Sequence, residues 1–431
     1  LLKELLGIKS LSPESLQNIE EPVVVIAKEL SPSETFHLTK DKVAGILLEE
    51  GGETSHAVIL AKALGIPMII GCPGLLDSCE DNDLVCMDGQ DGRYSVNPEK
   101  EELDFFVKRE RFFEKKRESE FRYKGKKSVT KDGHQIEVLA NISSSAIIDS
   151  VIDHDAEGIG LFRSEFLYLD SESYPDEDMQ LKAYKQVLAE MKGKPVIIRT
   201  MDIGGDKDVP YMNLPQEANP FLGYRAIRIA LHNKEIFKTQ IRALLRASVC
   251  GNLSIMFPMV SSISEYREAA GLLRRWKEEL MQEGCETSNT IKIGLMIETP
   301  AAAVMAEELA AEADFFSIGT NDLIQYTMAA DRGNQQVAEL YSPFEPSVLR
   351  LIRHISDSAG KKNIPCGMCG QAAEIKELIP LWIGMGLTEL SVNPGMILEC
   401  RETICGLEYV RCRALVSEVM RCSTRKEAEE I

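Results

Sequence analysis

The stretch Gly51-Gly52-Glu53-Thr54-Ser55-His56-Ala57-Val58-Ile59-Leu60-Ala61 concentrates residue types that handle an anion. Two glycines let the backbone turn closely after an apolar run, and Thr54 and Ser55 are good N-cap residues for a following helix. His56 then falls in a first helical turn, where unpaired N–H groups and the positive end of the dipole favour negative charge. A phosphoryl group carried on an imidazole nitrogen would be held there by those amides and hydroxyls. The same residues also fit a histidine in the capping region of a structural turn, and composition leaves both readings open.

A second set is scattered along the chain but shares one kind of position, the end of an apolar run. Arg163 follows Gly160-Leu161-Phe162, Arg199 follows Val196-Ile197-Ile198, and Glu298 follows Gly294-Leu295-Met296-Ile297. Asn321 and Asp322 come after Ser317-Ile318-Gly319-Thr320, with Arg332 ten residues further on, and Cys369 closes Cys366-Gly367-Met368-Cys369. Guanidinium groups grip phosphate and carboxylate bidentately. Glu298 and Asp322 are hard oxygen donors of the kind Mg²⁺ prefers, with substrate completing the shell. Taken singly, each arginine fits a surface ion pair. Arg225, in Asn219-Pro220-Phe221-Leu222-Gly223-Tyr224-Arg225, reads equally as a cation for an anionic substrate and as a helix-start arginine paired with a carboxylate. Lys207, after Gly204-Gly205, resembles a phosphate-cradling turn on the strength of two glycines alone. His37, His134, His154, His232 and His354 lack comparable surroundings and read as surface or packing residues.

The elements that must position these groups follow from apolar patterning. From Pro22 to about Val96, Val23–Ile26, Gly45–Leu48 and Pro67–Ile70 read as strands, with helices beginning at Ser31 and Ala57, which predicts a small α/β domain with a mixed sheet. Glu101–Lys127 is charge-rich and free of proline, and reads as one long exposed helix joining two domains or packing on one of them. Beyond it come eight strand candidates, Ile136–Asn141, Gly158–Phe162, Pro195–Thr200, Leu253–Met259, Ile291–Ile297, Asp314–Ile318, Ile364–Met368 and Glu389–Val392, spaced by amphipathic stretches such as Glu235–Ser248. Eight such units over about 295 residues predict a (β/α)8 barrel, which places its site at the C-terminal ends of the strands. The rival is an open doubly wound sheet. Polar residues recurring after many strands, rather than at one switch point, favour the barrel. The expected division is 1–97, 98–127 as a linker helix, and 128–431.

Composition removes several function classes. Of 431 residues, 49 are Lys or Arg and 68 Asp or Glu, for a net charge of −19, so nucleic acid is not an expected partner. No apolar run reaches the ~18 residues of a bilayer span, and no leader pattern opens the sequence. Eleven cysteines, scattered rather than arrayed in the paired C-x-x-C motifs of a zinc site, fit reduced thiols in the cytoplasm better than a disulfide framework. The first residue is Leu1, not Met, which suggests a fragment or processed product.

Gly51–Gly71 with Thr54-Ser55-His56, Arg199–Lys207, Ile297–Ala303, Ser317–Asp322 and Gly367–Gly370 together closely resemble the phosphoenolpyruvate-utilising enzymes. Asn219–Arg228 and Asp314–Asn334 are most similar to enzyme I of the bacterial phosphoenolpyruvate:sugar phosphotransferase system. The resemblance runs over essentially the whole chain. It implies a swivelling phosphohistidine α/β domain carried by the linker helix, and a C-terminal TIM-type barrel that pairs into a homodimer. It also implies His56 as the phosphorylated histidine, Arg163, Arg199, Asn321, Asp322 and Arg332 as phosphoenolpyruvate ligands, Glu298 and Asp322 as Mg²⁺ ligands, and Cys369 as proton donor to the pyruvate enolate. The family's segment that docks a small phosphocarrier protein has no counterpart in this sequence. Gln371-Ala372-Ala373-Glu374 also departs from the family's usual Glu then Ala-Gly-Asp, and Ser391–Gly395 replaces a more serine-rich stretch. These departures predict lowered activity with binding retained. Related alternatives are a pyruvate, phosphate dikinase or phosphoenolpyruvate synthase relative, and a non-catalytic regulatory relative that binds phosphoenolpyruvate.

Overall fold

The computed structural model describes residues 21–31, 34, 38–39, 41–52, 57–58, 61, 65–205, 207 and 209–431. Thr54, Ser55 and His56, and the opening apolar stretch Leu1–Gly7, lie outside the described residues. The chain divides into two compact units, Leu1–Arg122 and Tyr123–Ile431.

In the first unit, strands β1 (Val23–Ala27), β2 (Val43–Leu48) and β3 (Met68–Ile70) form a parallel sheet in that order. Val25, Val43, Ile46 and Leu48 pack with Ala57, Ala61 and Ile66 in one apolar cluster. Ala57 and Ala61, four apart, place one helical face on the sheet. Strands β4 (Val85–Asp88) and β5 (Arg93–Val96) pair antiparallel across the turn Gly89–Gly92. The Asp88 carboxylate accepts the Gln90 and Asp91 N–H groups at 3.0 and 3.4 Å and so closes that turn. The expected single mixed sheet is therefore two: a four-residue turn forces antiparallel pairing, whereas the longer crossover between β2 and β3 permits parallel. Lys100–Phe121 is one helix of 22 residues without a buried side chain. Arg109 on it reaches Asp88 and Asp91, each at 2.8 Å, so the helix is held against the hairpin of its own unit.

The second unit is a closed barrel of eight parallel strands in chain order. They are β6 (Glu137–Ile142), β7 (Ile159–Arg163), β8 (Pro195–Arg199), β9 (Asn252–Phe257), β10 (Lys292–Ile297), β11 (Phe316–Ile318), β12 (Cys366–Met368) and β13 (Glu389–Val392). Every one lies on an expected strand. Closure is made by β13 against β6, with Leu390 opposite Val138 and Val392 opposite Ala140. Leu161, Ile197, Met256, Met296, Phe315 and Cys369 form one buried cluster contributed by successive strands and their ends. Each fully buried aliphatic side chain contributes about 1.5–3 kcal/mol, so this packing fixes the strand ends firmly. Helices such as Lys234–Ala247 and Ile263–Gln282 turn their apolar stripes to the strands, the latter opened by a Ser262–Glu265 capping box. Among the described residues no helix is long and apolar enough to cross a membrane.

Candidate functional site

The β7, β8 and β10 runs end in Arg163, Arg199 and Glu298 because each strand's apolar residues are used up at the barrel's C-terminal rim. Arg199 is buried and donates through Nη2 to Glu165 Oε1 at 2.7 Å, with Asp202 Oδ2 at 3.1 Å. Lys207 Nζ lies 3.0 Å from the same Glu165 oxygen and 3.1 Å from the same Asp202 oxygen. Arg225, 2% exposed, donates to Asp202 Oδ1 at 2.9 Å and to Asp322 Oδ1 at 3.3 Å. Three cations and three carboxylates therefore form one continuous network from β7 to the helix Thr320–Met328 after β11.

Charge and burial compete throughout it. Burial alone would lower the Arg199 pKa, but Glu165 and Asp202 more than offset this and raise it. Glu165 and Asp202 are pushed upward by burial, yet the surrounding cations bring both below the usual carboxylate range. Arg163 behaves otherwise: burial lowers its pKa, and the guanidiniums of Arg199 and Arg332 add to that against Glu165. It lies 4.9 Å over the Phe166 ring and donates no hydrogen bond to another described residue. Glu165 and Asp202 oppose that lowering, but burial prevails, so a further anion at this guanidinium would be favoured.

Glu298 is 1% exposed and accepts the Met259 N–H at 2.6 Å, Met259 itself holding a φ of 55°. Burial, then Asp322 and Asp202, push its carboxyl up to about 8. Its Oε2 lies against Gly319, where an added Cβ would sit 2.7 Å away, so glycine is what lets the Asp322 helix start beside it. Among the described residues no three His, Cys, Asp or Glu side chains make a ready cage. Two crowded carboxylates are a donor set of the kind that fits Mg²⁺, which takes one or two protein carboxylates and keeps positions for water and substrate phosphate.

Asn321 is fixed from two sides: its carbonyl accepts Tyr341 OH at 3.2 Å and its Oδ1 accepts the Gln371 N–H at 3.0 Å. Arg332 starts from a backbone N–H held by Gln325 Oε1 at 3.2 Å, and its guanidinium carbon is 6.0 Å from the Phe221 ring centroid. Cys369 belongs to the interior cluster, and its thiol, 3.7 Å from the Ile318 carbonyl, is pushed up to about 12 by burial despite the Ser317 hydrogen bond and Arg199. At neutral pH it carries its proton. Cys366, three residues earlier, is a free thiol like Cys369, so this C-x-x-C spacing is not a disulfide.

Sequence reasoning set Arg163, Arg199, Glu298, Asn321, Asp322, Arg332 and Cys369 at or after strand ends, where the structure has them, and left Arg225 open between a substrate cation and a carboxylate-paired arginine; in the structure it is paired with Asp202 and Asp322, and His56 is outside the described residues. It missed Glu165, Asp202, Asn141 and Ser391. Asn141 donates to the Cys369 carbonyl at 3.1 Å and accepts Ser391 Oγ at 2.6 Å, and its signal was the one that marked Arg163, a polar residue ending an apolar strand. Gly160 leaves the space for Ser391, since a Cβ there would approach Ser391 Oγ to 2.5 Å.

Comparison with known proteins agrees with this geometry. The family described as PEP-utilising enzyme, PEP-binding domain, matches residues 116–409, and that described as PEP-utilising enzyme, mobile domain, matches residues 19–92. A phosphoenolpyruvate-protein phosphotransferase of Listeria monocytogenes is 44% identical over 431 residues, all of this chain and 75% of the relative. Proteins of the same name from Staphylococcus carnosus and Staphylococcus aureus are also 44% identical, over 432 aligned positions and the same shares. The chain belongs to the PEP-utilising enzymes and, within them, to the phosphoenolpyruvate-protein phosphotransferase family.

Proposed function

We propose that this chain transfers the phosphoryl group of phosphoenolpyruvate to His56 and releases pyruvate, as the first step of a sugar phosphotransferase relay. The observation that carries the reading is the collection of Arg163, Arg199, Arg332 and Asn321 around a buried carboxylate pair at one barrel rim, with a protonated thiol beside them. Arg163, with donors unspent, and Arg332 grip the phosphate and carboxylate of the substrate, and Arg199, held rigid by Glu165 and Asp202, adds positive charge where the phosphoryl group is transferred. Glu298 and Asp322 would hold Mg²⁺, which when bound neutralises charge on the phosphoryl oxygens. Neutral imidazole attacks phosphorus, the P–O bond to the enol oxygen breaks, and an N–P bond forms. The enolate left behind takes a proton at its methylene carbon from Cys369, whose thiolate is reprotonated from solvent.

Gln371 keeps one contact of this machinery. Its backbone N–H, not its side chain, holds Asn321, so the departure from the usual glutamate leaves that contact in place. Glu374 in turn accepts both the backbone and side-chain N–H of Asn393, tying the two departing segments together. A small phosphocarrier as acceptor, a homodimer through the barrel and a cytoplasmic setting complete the proposal.

Isotope-labelled phosphoenolpyruvate tests it. Label should stay on the protein, acid-labile and alkali-stable, and be absent from His56→Ala, while calorimetry still shows that variant binding phosphoenolpyruvate. Label retained by His56→Ala would assign the acceptor elsewhere.

A further inference from the structure

Resting on the reading that Glu298 and Asp322 take a divalent cation, we propose that Arg225 is a positioning residue and not a substrate contact. It bridges Asp202 to Asp322 and thereby sets the orientation in which Asp322 meets the metal. The donors of Arg225 account for this. Nη1 reaches Asp322 Oδ1 at 3.3 Å and Tyr326 OH at 3.1 Å; Nη2 reaches Asp202 Oδ1 at 2.9 Å and Asp322 Oδ2 at 3.4 Å. Nε is buried without an acceptor, and the residue is 2% exposed. No donor is left at the surface for a substrate at the barrel mouth.

The guanidinium instead lies along both oxygens of Asp322, and each oxygen keeps a lone pair for another partner. Its own position is inherited from β8. Asp202 holds Arg199 and Lys207 through Oδ2 and Arg225 through Oδ1, so the end of β8 is linked to the helix after β11 by alternating charges. The chain is shaped for this bridge. Gly204, at φ 99°, admits Arg225 so closely that an added Cβ would stand 2.6 Å from the Arg225 Cβ. Ala226, next along, takes a φ of 52° and donates its N–H to Ile203 O at 2.9 Å. A lysine's single ammonium can touch two carboxylates, as Lys207 does, but cannot lie along both oxygens of one while holding a second, as this planar fork does.

Two calorimetric measurements on the full chain separate the roles, made in a His56→Ala background so that no phosphoryl group is transferred. One is phosphoenolpyruvate binding in EDTA; the other is Mg²⁺ binding at saturating phosphoenolpyruvate. Arg225→Gln should leave the first within about threefold and weaken the second roughly 10- to 100-fold, the usual effect of removing a partner of a metal ligand. Asp202→Asn also loosens Arg199, so it enters the second measurement alone: it should weaken Mg²⁺ binding to a similar extent, and the double variant should bind Mg²⁺ no more weakly than Arg225→Gln, because both break one chain of contacts. A loss of more than about tenfold in EDTA with Arg225→Gln would make Arg225 a direct ligand and overturn the proposal. If Arg225→Gln does not fold, Arg225→Lys carries the same comparison. Absence of any Mg²⁺ heat in the parent would remove the metal reading itself, whereas equal Mg²⁺ affinity in parent and variants would remove only the positioning role.

Discussion

The barrel carries two carboxyl groups pushed up to about 8, and they stand at opposite ends of it. Glu298 follows β10 at the C-terminal rim, its pKa raised by burial, Asp322 and Asp202. Glu389 opens β13 at the N-terminal end, raised by burial and Glu137 and lowered slightly by Lys292. By titration alone the two are indistinguishable. What separates them is company. Around Glu298 converge Arg199, Arg225 and the helix start bearing Asn321 and Asp322, whereas Glu389 has one acidic and one basic neighbour from strand starts and packs over Gly367, where any side chain would collide with it. A displaced pKa marks burial; only convergent donors and acceptors mark a site, and in this fold they converge where strands end.

Cysteines repeat the comparison and give the largest expected effect. Cys369, just after β12, senses Arg199 and Glu298 ahead of Glu389, while Cys366 at the start of that strand senses Glu389 without Arg199 or Glu298. Cys369→Ala should reduce pyruvate formation by about 10²- to 10⁴-fold with phosphoenolpyruvate affinity retained, the usual worth of a positioned general acid. Cys366→Ala should leave turnover unchanged and cost about 1 kcal/mol of stability for the small void it opens. Pyruvate release at saturating Mg²⁺, with urea midpoints alongside, checks both. Equal small losses in the two variants would make Cys369 a packing residue and erase the distinction between the ends.

Next in size is the carboxyl pair itself. Glu298→Gln should lower turnover by roughly 10²- to 10³-fold, since under the proposed function it removes an oxygen ligand and the charge that goes with it. Glu389→Gln should leave turnover as it is. Steady-state kinetics at several Mg²⁺ concentrations checks the pair, and a comparable loss in Glu389→Gln would mean that the lower end of the barrel is coupled to the reaction.

The barrel was legible in the sequence because most of its strands are short apolar runs bounded by polar residues, and a closed parallel sheet demands such runs. Most strand ends moved by one or two residues, as at β11, which spans Phe316–Ile318 where Asp314–Ile318 was expected, because Asp314 turns its carboxylate to the Ile293 N–H at 2.7 Å. The β4–β5 hairpin was not read as its own sheet, since Val85–Asp88 has no alternation of burial to announce it. At the site, cations at strand ends were legible and their counter-charges were not. Glu165 and Asp202 lie two and three residues beyond arginines already singled out, and such spacing looks like a local ion pair. What the sequence conceals is that Asp202 serves Arg199, Lys207 and Arg225 together. Arg225 itself was readable either way, as a substrate cation or a paired one. Its partner Asp322 lies 97 residues downstream, and only the closed barrel brings them together.

The smallest effect is thermodynamic and compares the two carboxyls in the protein without ligands. For each, the folded pKa of about 8 exceeds the ordinary 4.5, so between those values the folded state holds a proton that the unfolded state has lost. Stability from either group is then fully present below about pH 4.5 and declines as pH rises toward 8. Replacing either by glutamine, which is neutral at every pH, should flatten that decline, and urea midpoints at pH 5, 6, 7 and 8 would show it as a smaller drop than in the parent. Mg²⁺ and phosphoenolpyruvate then break the symmetry. Ligands that bind the ionised form of Glu298 add stability as pH rises, so with both present the difference between parent and Glu298→Gln should shrink or reverse sign. The difference between parent and Glu389→Gln should stay as it was, because nothing that binds at the rim touches that end of the barrel. If ligands altered both differences alike, the two carboxyls would be reporting general stabilisation of the barrel, and the rim would lose its claim to Glu298 as a ligand.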